Sequence, residues 1–557
     1  MHRPILSNPT KTGMRLAAGL VLGLLVAWAF VPVLAYDFVL WDDNVNVTGN
    51  AMLTKPWSWD LVMEMLDPQA ALRFKPLHWL AMRVIADTTG MQPAVWHAFG
   101  WGVHTCVVVA VFWVLRLMME RAFHEPQGWW TDALAWLGAA LWALHPLRVE
   151  PVAWVTGSTY PMVGLLMAVS FGSYLKAHGA VVDKKWMWVS WGLAVAAYAT
   201  YPVSVTYAGW LVVVDVFWLR ASPEKPLDCR ERETRRWWMK HAWFVVPAVF
   251  AVGATLWTRY ADSGRWVGAP SLGVLRWDER LLAAWASLTA LPAKVLWPVN
   301  LTPNVQSLQQ TVWQTGWVLG FAALSCAVAA ALWALSRRRP AWMGTGLGFA
   351  LLALPCLGLT ERPIWPVDRY GYLLDMVVIG VAVMTFAVLS QRRVLRLPVL
   401  ALLVTLTAGA TVATRNLLPI WRDSTALFAS MESMPDFTNN PTQQAHIYTL
   451  WYAALARKGL HEEASEKLER ANGVYLSAMR GAVALGDYKR AVRLADCMEA
   501  NLGLSTPIRR ERGGWLLRLG RKAEATEDLR RVLRDVPDDA RAAGFLAEAT
   551  GGGTGGK

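Results

Sequence analysis

The sequence predicts an all-α protein in two parts: a polytopic bundle of about eleven membrane-spanning helices, then a solenoid of short paired helices. Three observations carry this expectation. Of 557 residues, 55% are hydrophobic and only 17% charged, where an ordinary soluble domain has about a quarter of its residues charged. The apolar residues gather in runs of spanning length up to residue 415. Beyond that point charges return, in amphipathic pieces that share a recurring phrase.

A hydrocarbon core about 30 Å thick takes roughly 20 apolar residues in helical form. By that ruler, spans are expected at 14–36, 94–118, 129–144, 159–175, 186–201, 203–219, 241–257, 311–335, 341–359, 372–389 and 397–414. The run 281–299 carries Pro292, Lys294 and Pro298, so it reads as a broken, re-entrant or interfacial segment. The first run has Val33 and Ala35 spaced like a signal-peptide cleavage site, but it outlasts an ordinary signal core, which favours an uncleaved helix.

Cations set the orientation. With Arg3, Lys11 and Arg15 inside, the loops bearing Arg116 and Arg121, Lys176 with Lys184 and Lys185, residues 220–240, Arg337–Arg339, and Arg392 with Arg393 and Arg396 all fall on the cytoplasmic side. This holds provided 281–299 does not cross. The expectation is a multi-pass bacterial inner-membrane protein with a cytoplasmic N-terminus and a first outer loop at 37–93. The net charge of +13 then follows from basic cytoplasmic loops; a nucleic-acid binder would gather its cations on one folded face. The five cysteines, Cys106, Cys229, Cys326, Cys356 and Cys497, are isolated and support neither a disulfide framework nor a zinc site.

Beyond the spanning domain (1–415) and a connector (416–439), the phrase Gly-x-x-x-x-Ala recurs at Gly459–Ala464, Gly486–Ala491 and Gly520–Ala525. The second interval, 520 − 486 = 34, equals the tetratricopeptide period, and the first, 486 − 459 = 27, is seven short. About three degenerate tetratricopeptide-like repeats are expected over 440–549, in the periplasm, followed by a flexible tail at 550–557.

Ionisable groups near bilayer depth are costly and point to function. On the outer side fall Asp42 and Asp43, Lys75, then His145, Arg148 and Glu150, Arg259, Asp262 and Arg265, Glu361 and Arg362, and Asp368, Arg369 and Tyr370. Paired carboxylates beside guanidinium groups suit deprotonation of a hydroxyl next to a clamped phosphate. By residue type alone a capped loop with arginines anchored at headgroups is the favoured reading. His97 and His104, seven apart on one helix face, read as a buried packing pair. Asp215, a turn from Arg220, reads as an interfacial ion pair. Most of the 34 tryptophans are interface anchors, with Trp41, Trp57, Trp59 and Trp154 available to stack on a sugar or isoprenoid.

The order Asp42-Asp43-Asn44, Lys75-Pro76-Leu77, His97 and His104, His145 through Trp154, Trp297 through Leu301, Asp368 through Tyr372 and Trp421-Arg422-Asp423 before the repeats resembles the bacterial relatives of the transmembrane-and-tetratricopeptide (TMTC-type) protein O-mannosyltransferases, within the GT-C class. That resemblance implies a GT-C membrane domain transferring a sugar from a polyprenyl-phosphate donor to an extracytoplasmic acceptor, a protein Ser/Thr hydroxyl. It implies Asp42 or Asp43 as the catalytic acidic residue. Lys75, His145, Arg148, Glu150, Arg362, Asp368, Arg369 and Tyr370 would line the donor phosphate or substrate. A divalent cation on Asp42 and Asp43 is allowed and not required, and no other cofactor is implied. Partners are membrane lipid, the lipid-linked sugar and a protein met by the repeats; nucleic acid is not among them.

Three departures from the family pattern stand out: Thr156-Gly-Ser-Thr-Tyr160 where a basic and an acidic residue are usual, Tyr201 for a common Lys, and Gly100 for an Asn. They favour the rival expectation, a catalytically silent scaffold whose repeats bind an envelope complex. A transporter is disfavoured because no inverted repeat is evident.

Overall fold

The computed structural model describes residues 9–67, 74–123, 128–178, 182–219, 230–263, 277–299, 301, 315–337, 339–359, 367–434 and 437–551. Among these the chain is helical throughout, with one isolated bridge between His178 and Val182. It divides into two compact units, Met1–Leu427 and Phe428–Lys557.

In the first unit, helices occupy every expected run. They are α1 (Pro9–Phe30), α2 (Trp59–Leu66), α3 (Pro76–Thr89), α4 (Pro93–Ala122), α5 (Trp129–Ala143), α6 (Val149–Ala153), α7 (Thr159–Ala177), α8 (Lys184–Thr200), α9 (Tyr207–Val214) and α10 (Arg230–Ser263). Then come α11 (Trp277–Leu296), α12 (Thr315–Ser336), α13 (Ala341–Ala353), α14 (Gly371–Leu389) and α15 (Arg396–Leu417). Local chemistry sets their starts. Proline opens α3 and α4, where its missing N–H costs nothing, and the Asp183 carboxylate caps α8 by accepting from Lys185 N–H at 2.9 Å.

Six segments among the described residues are long and apolar enough to cross a membrane: Thr12–Ala35, Pro93–Ala122, Pro202–Leu219, Trp237–Thr258, Asp368–Leu389 and Arg393–Trp421. A seventh is the pair Pro146–Ala153 and Thr156–Ala177 if counted as one span, bent by 110°. The expected eleven is thus not reached on length alone. Helices α5 and α8 have 15 and 17 residues, short of the roughly 20 a perpendicular crossing takes. The bend falls where α6 ends and Trp154 turns extended, φ −92° and ψ 123°.

One expectation is corrected. The segment read as broken at Pro292 and Lys294 is the continuous 20-residue helix α11, which carries Pro292 inside it and ends before Pro298. The proline is carried inside the helix rather than stopping it.

The division between the two units falls after Leu427. Residues 418–424 stay with the membrane unit because Arg422 carbonyl accepts from Asp37 N–H at 2.9 Å, Ser424 Oγ from Leu40 N–H at 2.9 Å, and the Trp421 ring stacks on Trp154.

Helix α16 (Ser424–Glu432) crosses the division, and the second unit then holds α17 (Pro441–Arg457), α18 (His461–Ala484), α19 (Tyr488–Leu502), α20 (Thr506–Arg518), α21 (Lys522–Asp535) and α22 (Ala540–Thr550). Each phrase glycine turns a corner with positive φ: 75° at Gly459, 70° at Gly486 and 73° at Gly520. At all three the glycine N–H reaches the carbonyl three residues back and the next N–H the carbonyl five back, the Schellman pattern. The phrase alanines, Ala464, Ala491 and Ala525, are buried where adjoining helices meet. The seven-residue deficit has a physical form. Between Gly486 and Gly520 lie two helices, α19 and α20, whereas between Gly459 and Gly486 lies one 24-residue helix, α18.

Candidate functional site

The chain leaving α1 passes through Tyr36 to Asn44 and lies against residues 421–424 on one side and the bend after α6 on the other. Within it the two aspartates part company. Asp42 is exposed and holds φ 68°, the only positive φ outside glycine among the described residues. Aspartate tolerates this left-handed conformation better than most residues. Its carbonyl accepts from the Val45 and Asn46 amides, while no hydrogen bond or ion pair occupies its carboxylate among the described residues. Asp43 is buried. Its Oδ1 accepts from Thr156 N–H at 3.0 Å and Thr156 Oγ at 2.6 Å, and its Oδ2 from Val39 N–H at 3.1 Å. Burial pushes the Asp43 carboxyl up to about 7, opposed in part by these bonds.

The phrase 145–154 is the hub. His145 Nε2 donates to Val295 carbonyl at 3.0 Å, and its Nδ1 accepts from Leu147 N–H, so the ring is neutral and fixes the bend against α11. Arg148 is fully buried, donates to Gly371 carbonyl at 3.2 Å, pairs with Asp375, and lies over the Trp142 and Tyr372 rings. Glu150 accepts from Arg369 Nη1 at 2.6 Å and Arg369 N–H at 2.9 Å, a two-point clasp that holds the start of α14. Trp154 Nε1 donates to Trp41 carbonyl at 2.8 Å, with the Arg369 guanidinium 5.3 Å from its ring. Lys294 Nζ lies 2.6 Å from Asp368 Oδ1.

The structure therefore brings Asp42, Asp43, Glu150, Arg369, Asp368 and Tyr370 to one end of the bundle. Lys75 is buried at the N-cap of α3, with its ammonium 3.9 Å from the Trp79 ring. Arg148 sits deeper, bound into the packing. Arg362, Glu361 and Arg265 lie outside the described residues, as do the side chains of Arg259 and Asp262. Among the aromatic candidates Trp57 and Trp59 are exposed, but Trp154 is buried against Trp421, so it cannot stack on a sugar as expected. His97 and His104 are buried and bonded, His97 to Asp37 carbonyl and His104 to Tyr372 Oη at 2.7 Å. Asp215 pairs with Lys240 and His241, while Arg220 lies outside the described residues.

Among the described residues no three acidic, histidine or cysteine side chains converge as a metal cage. Asp43 spends both oxygens on protein donors, so the pair does not form a chelating cradle. Three contributors escaped the sequence reading. Lys294 and Asp375 are charges inside apolar runs, a signal that was there to use. Thr156 carries none.

The three departures prove to be neighbours. Tyr160 packs edge-on to Tyr201 with centroids 5.4 Å apart and lies 6.4 Å from Tyr370. A Cβ placed on Gly100 would come 3.6 Å from Ser158 Cβ. His78, with its ring nitrogen held well below the usual histidine range by burial, completes the contact with Ser158 Oγ at 3.3 Å.

Fold and cluster together define a helical membrane protein with a polar site at one end of its bundle and a separate helical C-terminal unit. Part of the chain is similar to TMTC-type O-mannosyltransferases. The chain is 27% identical over 161 residues to human protein O-mannosyl-transferase TMTC1, covering 27% of this chain and 17% of the human protein. It is 28% identical over 113 residues to mouse TMTC1, covering 20% of this chain and 11% of the mouse protein. The matched part thus spans less than a fifth of these relatives. No family model matches. Among solved structures, ArnT from Cupriavidus metallidurans bound to undecaprenyl phosphate is similar at 15% identity, over 89% of this chain and 81% of that one, with a TM-score of 0.33.

Proposed function

We propose that the protein is a GT-C-type membrane glycosyltransferase, moving one sugar from a polyprenyl-phosphate donor to an extracytoplasmic acceptor, a protein Ser/Thr hydroxyl. The reading carries with it an inner-membrane location, a cytoplasmic N-terminus and periplasmic repeats that present the acceptor. The observation that carries it is the division of labour in the aspartate pair: an exposed carboxylate without a partner among the described residues, at a left-handed backbone position, beside a buried, fully bonded one. Asp42 is the base in this reading. It takes the acceptor proton as the hydroxyl oxygen attacks the anomeric carbon, and the lipid phosphate leaves with the bonding pair. Asp43 is a positioning residue that fixes the loop to Thr156. Similarity to TMTC1 supports the chemistry at low identity.

Asp42→Asn, Asp43→Asn and the double variant, assayed for transfer from a polyprenyl-phosphate sugar to cell-envelope protein, test it. Loss of transfer in Asp42→Asn is expected. Full activity in all three removes the base from this account.

A second reading, a silent scaffold, is favoured by one specific observation. Arg148, Arg369 and Lys294 are each neutralised by a carboxylate of the protein itself, Asp375, Glu150 and Asp368. A phosphate would have to displace these partners or use other cations. Transfer activity in the wild-type protein excludes this reading.

A further inference from the structure

A different space lies inside the bundle and opens towards the far end of α4. It is an apolar chamber of about 200 Å³ between α4, α7, α9, α13 and α14, walled by side chains such as Val111, Leu115, Phe171, Trp210, Leu352 and Met376. Protein interiors pack closely, and an apolar void of about 150 Å³ already takes up benzene rather than water. The one wall hydroxyl on α9, Tyr207 Oη, is turned to Ser170 Oγ at 3.1 Å and asks nothing of an occupant. In a bundle bathed by lipid, the apolar matter at hand is an acyl chain.

The chamber reaches Arg121 in the last turn of α4, beside Leu175 and Leu219. At 1.5 Å per residue Arg121 is about 36 Å along α4 from His97, which touches the Asp37 loop, so this mouth is far from Asp42. Arg121 donates to the carbonyls of Leu175 and His178 and makes no ion pair with a carboxylate among the described residues. The adjacent Glu120 is engaged by Arg116 and Arg15. Lys176, Lys184 and Lys185 add further positive charge around the ends of α7 and α8.

We propose that the chamber holds the glycerol-proximal part of one acyl chain of an anionic glycerophospholipid, with its phosphate against Arg121. This site is separate from the transferase reading and stands or falls without it. The test uses the full-length protein, delipidated in detergent, reloaded from phosphatidylglycerol or phosphatidylcholine vesicles, and weighed by native mass spectrometry. Wild type is expected to retain one phosphatidylglycerol, preferred over phosphatidylcholine about tenfold, the value of a charge-assisted contact. Gly380→Phe fills the chamber, because a Cβ there meets only Leu115 at 3.9 Å and the ring has room to enter; retention of either lipid is expected to be lost. Arg121→Gln is expected to keep the lipid and lose the preference. Retention unchanged in both variants, absence of retained lipid in wild type, or equal retention of the two lipids by wild type overturns the proposal.

Discussion

Thr156 gives both its amide and its hydroxyl to one oxygen of Asp43, across 113 residues of sequence. That double bond between a loop and a helix bend fixes where Asp42 stands. Thr156→Val keeps the shape and removes the hydroxyl. It should cost about 1–3 kcal/mol, as expected for a buried acceptor losing a donor. Thermal denaturation in detergent, compared with Thr156→Ser, measures it; the serine variant should recover most of the loss.

Asp43 gives the membrane unit a pH dependence of definite sign. Its folded value, about 7, lies above the ordinary 3.8 because burial penalises the charge. The folded state therefore binds the proton more tightly than the unfolded one. Stability from this group is full below about 4 and declines as pH rises towards 7. The difference in melting temperature between wild type and Asp43→Asn should fall over that window and level off above it. A flat difference contradicts the burial argument.

Glu150 holds the Arg369 guanidinium and backbone together. Because the pair is largely buried, Glu150→Gln leaves a cation short of its partner, and about 3–5 kcal/mol should be lost. Restoring stability by Glu150→Gln with Arg369→Gln in one chain, read as a double-mutant cycle, would isolate the coupling.

In the C-terminal unit, Arg512 forks onto Asp528 through Nε and Nη2, both at 2.6 Å. Asp528→Asn breaks a charge-assisted pair and should lower the unit's unfolding free energy by about 2–3 kcal/mol. Gly520→Ala, forcing a Cβ into a left-handed corner, should cost about 1 kcal/mol. Urea titration of the full chain, followed by fluorescence of Trp515 against a Trp515→Phe control, separates the two.

Much of the fold was legible because lipid and helix leave few choices. Apolar runs long enough to span became helices, and the phrase glycines became corners, since only a residue without Cβ turns there cheaply. Crossing counts were less legible, as hydropathy does not tell a 15-residue helix packed inside a bundle, like α5, from one facing lipid. Pro292 misled for a related reason: a proline stops an isolated helix, while neighbours in a bundle carry one through. At the site, residue types pointed to Asp42, Asp43, Glu150 and Arg369, but they could not say which carboxylate was sealed. Pairing was equally hidden. Arg148 and Asp375 are 227 residues apart, and only the packing of α14 against the bend makes them partners.

The uninterrupted α18 makes the array unlike a chain of equal links. Where its siblings articulate at glycines, this stretch is a rod, and bending it would break several backbone bonds at once. A ligand meeting the C-terminal unit would find a stiff shaft at one side and jointed segments at the other, so adaptation on contact belongs to the half that follows Gly486.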